Sequence, residues 1–434
     1  MIRRRALVPL GVVLFVVGVL AATVSHHSAA AGTDALLTAP RDAAVSGTGT
    51  RTQALERAQA RLRSAPSDWR GWAALGSLEV EQARVTADPT WYPKAAGAFS
   101  RSLSMQPGDN VDALVGQAML ANARHDFAGA LRLGEKAKVL RPYNAAVYGV
   151  IGDAEVELGR YDDATATIQR MVDLRPDLAS YSRVSYLREL HGDVDGAAAA
   201  LDTAAQIAGN PSDAAFASFQ LGELRWNAGD AAGATAAYER AVKLDPTYVP
   251  PAAALGRVHA ATGDQAAAVA EYEAAIARVP APQYVTELGD LYAVSGHAAQ
   301  AAEEAKLLGA EERLFRANGV NIDLEISLFS ADHGTDLGQG LRAAQTEYGR
   351  RQSVFVADAL AWQLHVNGRD AEALTHADEA LRLGTRSALF HFHRGMIETA
   401  LGRTDAARAD LQQALAINPH FSLLHAPEAE AALR

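Results

Sequence analysis

The chain has 434 residues, 49% hydrophobic but only 6% aromatic, with no cysteine and a net charge of −11. That length allows two or three ordinary domains or one extended repeat array. The missing cysteines exclude disulfides, thiolate metal sites, a cysteine nucleophile and a lipidated-cysteine anchor. The acidic balance argues against nucleic acid, whose binding basic patches drive.

Arg3, Arg4 and Arg5 are the only charges in residues 1–31, so the remainder carries −14. The uncharged stretch 6–24 beyond them is as long as a bilayer-spanning helix. Ala29-Ala30-Ala31 before Gly32 offers a small-residue cleavage pattern. Residues 1–31 therefore read as a signal anchor or a signal peptide. Both leave the arginines in the cytoplasm and export the rest of the chain, tethered in the first case and secreted in the second. Residues 32–50 read as a flexible linker. Gly47-Thr48-Gly49 in it has no preceding strand, so it is not a dinucleotide turn.

From residue 51 the dominant signal is a clock of glycines: Gly159, Gly192, Gly229, Gly263, Gly296, Gly334, Gly368 and Gly402, spaced by 33, 37, 34, 33, 38, 34 and 34. Five residues after each comes alanine in all cases but Gln339. Seven residues before each lies a small residue: Gly152, Ser185, Gly222, Gly256, Gly289, Ser327, Ala361 or Gly395. Pro176, Pro246, Pro280 and Pro419 close four of the units. The glycine suits the left-handed end of a first helix. The small residues let a second helix cross closely, and proline stops that helix. Each unit is then a helical hairpin whose apolar face only a neighbouring hairpin can cover.

This pattern resembles the tetratricopeptide repeat family. The fullest match is Tyr148, Ile151, Gly152, Gly159, Tyr161, Ala164, Ile168 and Pro176. The resemblance covers about residues 51–421 and implies an all-α fold: a superhelical solenoid of antiparallel helical hairpins, here preceded by an N-terminal transmembrane or signal helix. Residues 51–66 are expected to cap about ten hairpins spanning 67–419, with 420–434 as a C-terminal capping helix. The first hairpin is longer than its siblings, and Ala87–Pro93 is expected to form the extra loop. His125 occupies the glycine slot of the second hairpin. Asn318-Gly319 and His333-Gly334 loosen the pattern, which points to a bend or break there.

The resemblance also implies a concave groove lined by first helices. By phase that face carries Asp153, Glu157, Arg183, Tyr186, Glu189, Phe219, Gln220, Glu223, Trp226, Asn227, Arg257, Glu287, Asp290, Asp332, Asp358, Trp362, His365, His393 and Met396. Trp226, with Phe219, Tyr186 and Glu223, is the expected anchor cluster, and the excess of acids favours a basic partner segment. Family members that hold C-terminal carboxylates do so with a basic clamp. The equivalent faces here carry Ser182, Tyr186, Phe219, Glu223, Ala253 and Arg257, so that ligand is not implied.

No phosphate loop, nucleophile elbow or His-Glu-x-x-His occurs, so neither an enzyme nor a cofactor is expected. The function expected is an exported, membrane-tethered scaffold that binds a protein or peptide in the cell envelope. The alternative is a metal-binding accessory of an envelope transporter using the C-terminal histidines, His365, His391 and His393.

Overall fold

The computed structural model describes residues 47–434, and side chains from Thr52 onward. The signal or anchor segment expected in residues 1–31 lies outside the described residues, among which no helix is long and apolar enough to cross a membrane.

Among the described residues the fold is entirely helical. Helix α1 (Gly47–Ser64) packs on a first array of seven hairpins. These are α2–α3 (Trp69–Thr86, Trp91–Met105), α4–α5 (Val111–Ala123, Phe127–Leu140), α6–α7 (Ala145–Glu157, Tyr161–Leu174), α8–α9 (Leu178–Leu190, Val194–Gln206), α10–α11 (Pro211–Asn227, Ala231–Leu244), α12–α13 (Pro250–Thr262, Gln265–Arg278) and α14–α15 (Pro282–Val294, Ala298–Ala317). A second array of three comes next: α16–α17 (Asp323–His333, Leu337–Arg350), α18–α19 (Val354–Val366, Asp370–Ala380) and α20–α21 (Ala388–Ala400, Thr404–Ile417). Helix α22 (His425–Leu433) covers the last hairpin, with Phe421 and Leu433 in the shared apolar cluster.

The repeat chemistry works as the spacing implies. Ala164, Ala197, Ala234, Ala268 and Ala373 are fully buried where the helices cross. A Cβ on Gly222 would strike the Tyr238 ring, and one on Gly395 would meet Leu411 at 2.8 Å. Four second helices start on aspartate caps, at Asp126, Asp193, Asp230 and Asp264. Asp193 and Asp230 accept the backbone N–H of Gly196 and Gly233 at 2.9 and 2.8 Å, satisfying a donor the helix leaves free.

The long first hairpin departs from expectation. Of the expected loop Ala87–Pro93, only residues 87–90 join the helices. Helix α2 runs 18 residues against 13 for α4, α6 and α8, and α3 already begins at Trp91. The run Glu79–Thr86 contains no glycine or proline to stop α2 earlier, so the additional residues lengthen the helix. A left-handed Ala87 (φ 51°) ends it.

The solenoid breaks where the pattern loosens. Helix α15 makes almost no contact with α16. At Asn318-Gly319 the chain leaves the stack and returns to the second hairpin. There the Asn321 N–H donates to the Arg124 carbonyl at 3.0 Å, and His125 Nδ1 donates to the Asn321 carbonyl at 2.6 Å. Val320 and Ile322 bury themselves against Val80, Tyr92 and Leu120.

From this point the second array docks, hairpin by hairpin, on the turn edge of the first. The Val354 N–H donates to Tyr161 Oη at 2.9 Å, Thr385 Oγ1 to the Leu190 carbonyl at 2.5 Å, and Asn418 Nδ2 to the Trp226 carbonyl at 2.8 Å. Arg351, 2% exposed, joins Glu157 of the first array to Glu347 of the second. Backbone meets backbone here. A Cβ on Gly159, Gly192 or Gly229 would collide with the carbonyl oxygen of Gln352, Gly384 or Ile417 respectively. By contrast, Gly263, Gly296, Gly368 and Gly402 have open space beside them.

Alanine at either kind of glycine bears the left-handed strain of about 1–2 kcal/mol. Only the docked glycines add a backbone collision, of the about 1–3 kcal/mol that overpacking costs. Denaturant melts should therefore show Gly192→Ala losing clearly more stability than Gly402→Ala. Equal losses would contradict the docking.

Candidate functional site

The fold-back converts the concave face into a central cavity of about 360 Å³. The first array curls far enough for Tyr92 of α3 and Arg84 of α2 to share its wall with Tyr248 and Tyr284, while Glu325 and Phe329 of α16 close it from the second array. Tyr186, Phe219 and Phe315 add apolar wall, with Phe219 and Tyr248 edge to face at 5.7 Å.

Of the predicted groove residues, Tyr186, Glu189, Phe219, Gln220, Glu223, Asn227 and Arg257 line this cavity. Arg257 stands between Glu223 and Glu287, 3.2 Å from each. Burial alone would lower its pKa, but the two carboxylates raise it well above the ordinary value and hold it charged. Glu223 also accepts the Tyr238 hydroxyl at 2.5 Å, and Asn227 donates to Glu189 at 3.0 Å. The lining therefore holds five carboxylates (Glu81, Glu189, Glu223, Glu312, Glu325) against two arginines, both of them paired with glutamates.

The other predicted groove residues are used internally. Asp153 and Arg183 form a buried fork-on-fork pair at 2.6 and 2.7 Å. Glu157 is taken by Arg351. Asp290 faces His333 at 3.2 Å. Trp226 is 3% exposed and packs with Ala215, Tyr238 and Val258, so it is a core residue and not an accessible anchor. Its backbone carbonyl, not its ring, is what the docked Asn418 contacts. The cavity residues that phase alone did not mark (Tyr92, Tyr248, Tyr284, Phe315, Glu325) come from second helices, a connector, the start of α14 and the returning array. The one sequence signal pointing to them is the break at Asn318-Gly319.

The C-terminal histidines separate into individual contacts and one cluster. His365 pairs with Asp370 at 2.5 Å, and His391 with Asp410 at 2.7 Å. His393 belongs elsewhere: its Nδ1 faces Asp358 at 2.9 Å, and its ring stacks on Trp362 at 4.3 Å. His365, His391 and His393 are therefore not brought together as a ligand set. What converges is Asp332, His393 and His425, whose donor atoms lie within 4.8 Å of one another. Trp362 Nε1 donates to Asp332 at 2.7 Å, and His425 bridges Asp332 and Glu428 at 3.1 and 3.0 Å.

Residues 150–214, 191–249 and 359–420 match the family model described as Tetratricopeptide repeat. These segments carry tetratricopeptide repeats. Proteins of this family are generally non-enzymatic scaffolds for protein–protein interaction. No curated protein matches this TPR chain significantly. Similar solved structures include TTC0263, a thermophilic TPR protein in Thermus thermophilus (22% identity over 42% of this chain and 94% of that one, TM-score 0.38). Another is the APC/C hetero-tetramer Cut9-Hcn1 (13% identity, 89% and 90% covered, TM-score 0.38). A third is PilW, a widely conserved type IV pilus biogenesis factor (18% identity, 47% and 94% covered, TM-score 0.39).

Several buried carboxyls of this TPR protein titrate late. Desolvation raises Glu325, on the cavity wall, to about 7 from an ordinary 4.5. It likewise raises Glu311, neither of whose oxygens has a hydrogen-bond partner, to about 8. Between 4.5 and these values the folded chain holds protons that the unfolded chain has released, so stability falls as pH rises through that window. Denaturant titrations should show lower stability at pH 8 than at pH 5, and Glu311→Gln with Glu325→Gln should flatten the difference. A stability that rises across this window would overturn the assignment.

Proposed function

We propose that this TPR protein is an exported, membrane-tethered scaffold of the cell envelope that holds a short segment of a partner protein in its central cavity. The observation that carries this reading is the cavity wall: aromatic rings beside carboxylates that outnumber the arginines. Its volume falls within the range of about 300–1,000 Å³ of small-ligand sites, room for a few side chains and not for a long helix. Aromatic rings supply contact area at small entropic cost, and the excess of carboxylates over arginines favours a basic segment over an acidic one. Export and tethering rest on Arg3–Arg5 ahead of the apolar stretch 6–24.

Two measurements test these parts separately. A photo-crosslinking side chain at Tyr186, on the cavity wall, should yield a specific protein adduct in cells, weakened several-fold by Glu189→Lys with Glu325→Lys. The same probe at the exposed Tyr143 should not. Equal adducts from both positions would contradict the cavity as binding site. For location, the chain has no cysteine, so Asp405→Cys on the surface provides a unique thiol. A membrane-impermeant maleimide should label it in intact cells. Labelling only after lysis would contradict export.

A further inference from the structure

The cluster of Asp332, His393 and His425 is not used by the cavity and is not explained by packing alone. Its three members come from separate elements: the end of α16, the middle of α20 and the start of α22. His393 is fully buried, yet its Nε2 has no hydrogen-bond partner. A buried polar atom left unpaired costs free energy, so the geometry around it calls for an occupant. Ligand atoms of Asp332 and His425 lie within 4.8 Å of a His393 ring nitrogen.

The orientation of both imidazoles is fixed from behind. Asp358 sits 2.9 and 3.0 Å from His393 Nδ1, and Glu428 sits 3.0 Å from His425 Nδ1. Each ring therefore presents Nε2 inward while a carboxylate holds its other nitrogen. This arrangement, carboxylate behind imidazole, sets the tautomer of metal-ligating histidines and raises their basicity. Trp362 completes the support by stacking on His393 and donating to Asp332.

We propose that Asp332, His393 and His425 form a binding site for one divalent transition-metal ion, zinc being the best match, which fastens α22 to the second array. Two imidazoles and one carboxylate suit zinc, with a fourth position for water. They do not suit magnesium or calcium, which take oxygen ligands, nor copper(I), which favours sulfur. Zinc bonds of about 2.0–2.2 Å place tetrahedral ligands about 3.4 Å apart. The donors, spread over up to 4.8 Å, therefore close inward on binding. Because α22 covers the last hairpin through Phe421 and Leu433, metal at its first residue would hold that cover in place.

The test uses the full-length protein, stripped with chelator and titrated with ZnCl2. The expected result is one ion per chain at micromolar affinity or better. X-ray absorption at the zinc edge of the wild-type complex should show two imidazoles and oxygen, which needs no variant to fold. His425→Gln should abolish the site. Asp358→Asn, a positioning change, should weaken it by about 10–100-fold. His365→Ala with His391→Ala should leave it intact. Circular dichroism checks that each variant is folded. Added zinc should raise the melting temperature of the wild type and not of His425→Gln. The proposal is overturned if no ion binds, if the absorption spectrum lacks imidazole scattering, or if binding survives His425→Gln and disappears with the His365 and His391 pair.

Discussion

The structure depends on one constraint: backbone must meet backbone where the second array lies on the turn edge of the first. Three carbonyls, of Gln352 and Gly384 in connectors and of Ile417 at the end of α21, approach three left-handed glycines so closely that a single Cβ would block each contact. Repeat arrays ordinarily bury their apolar faces only against sequence neighbours. Here residues 188 to 196 positions apart in the chain also meet. The buried Arg351 between Glu157 and Glu347 adds register more than stability, because desolvation consumes most of what such a pair gains. An array sliding by one hairpin would separate that guanidinium from Glu157 and break the three glycine contacts.

This contact sets the shape of the candidate site. An open solenoid would present its first helices to solvent as a long groove. The returning array instead spans that face: Arg351 takes Glu157, His333 of α16 takes Asp290, and what is left is a cavity walled by tyrosines and phenylalanines. Burial then shifts three carboxyls of its wall upward, Glu189, Glu312 and Glu325. The charge offered to a ligand therefore depends on pH near neutrality.

The solenoid was legible because its signals are local and repeated. Glycine spacing, buried alanines and aspartate caps each act within one hairpin, so one sequence displays them many times. The break was legible too, as a loosening at Asn318-Gly319. The docking that the break leads to was not. Gly192 and Gly402 occupy the same repeat slot, and nothing in their flanks tells a docked glycine from a free one. His125 is the exception that carried information: a histidine in a glycine slot, with φ 60°, whose ring reaches Asn321. Trp226 shows the opposite failure, since phase places it on the groove face while Tyr238 and Val258 of the next two helices make that spot core. The histidine cluster was hidden for a related reason: Asp332 and His425 are 93 residues apart, and only the packing of three helices brings them together.

The central claim is that the two arrays are docked in solution, and amide hydrogen exchange of the connectors addresses it most directly. In an undocked solenoid the Asn321 and Val354 amides would have no acceptor and would exchange at the rate of exposed loops. In the docked molecule Asn321 donates to the Arg124 carbonyl and Val354 to Tyr161, both in buried surroundings. The account predicts protection at both amides comparable to that of the helix cores, since only opening of the interface would release them. Exchange at unprotected rates, with the helices themselves still protected, would contradict it.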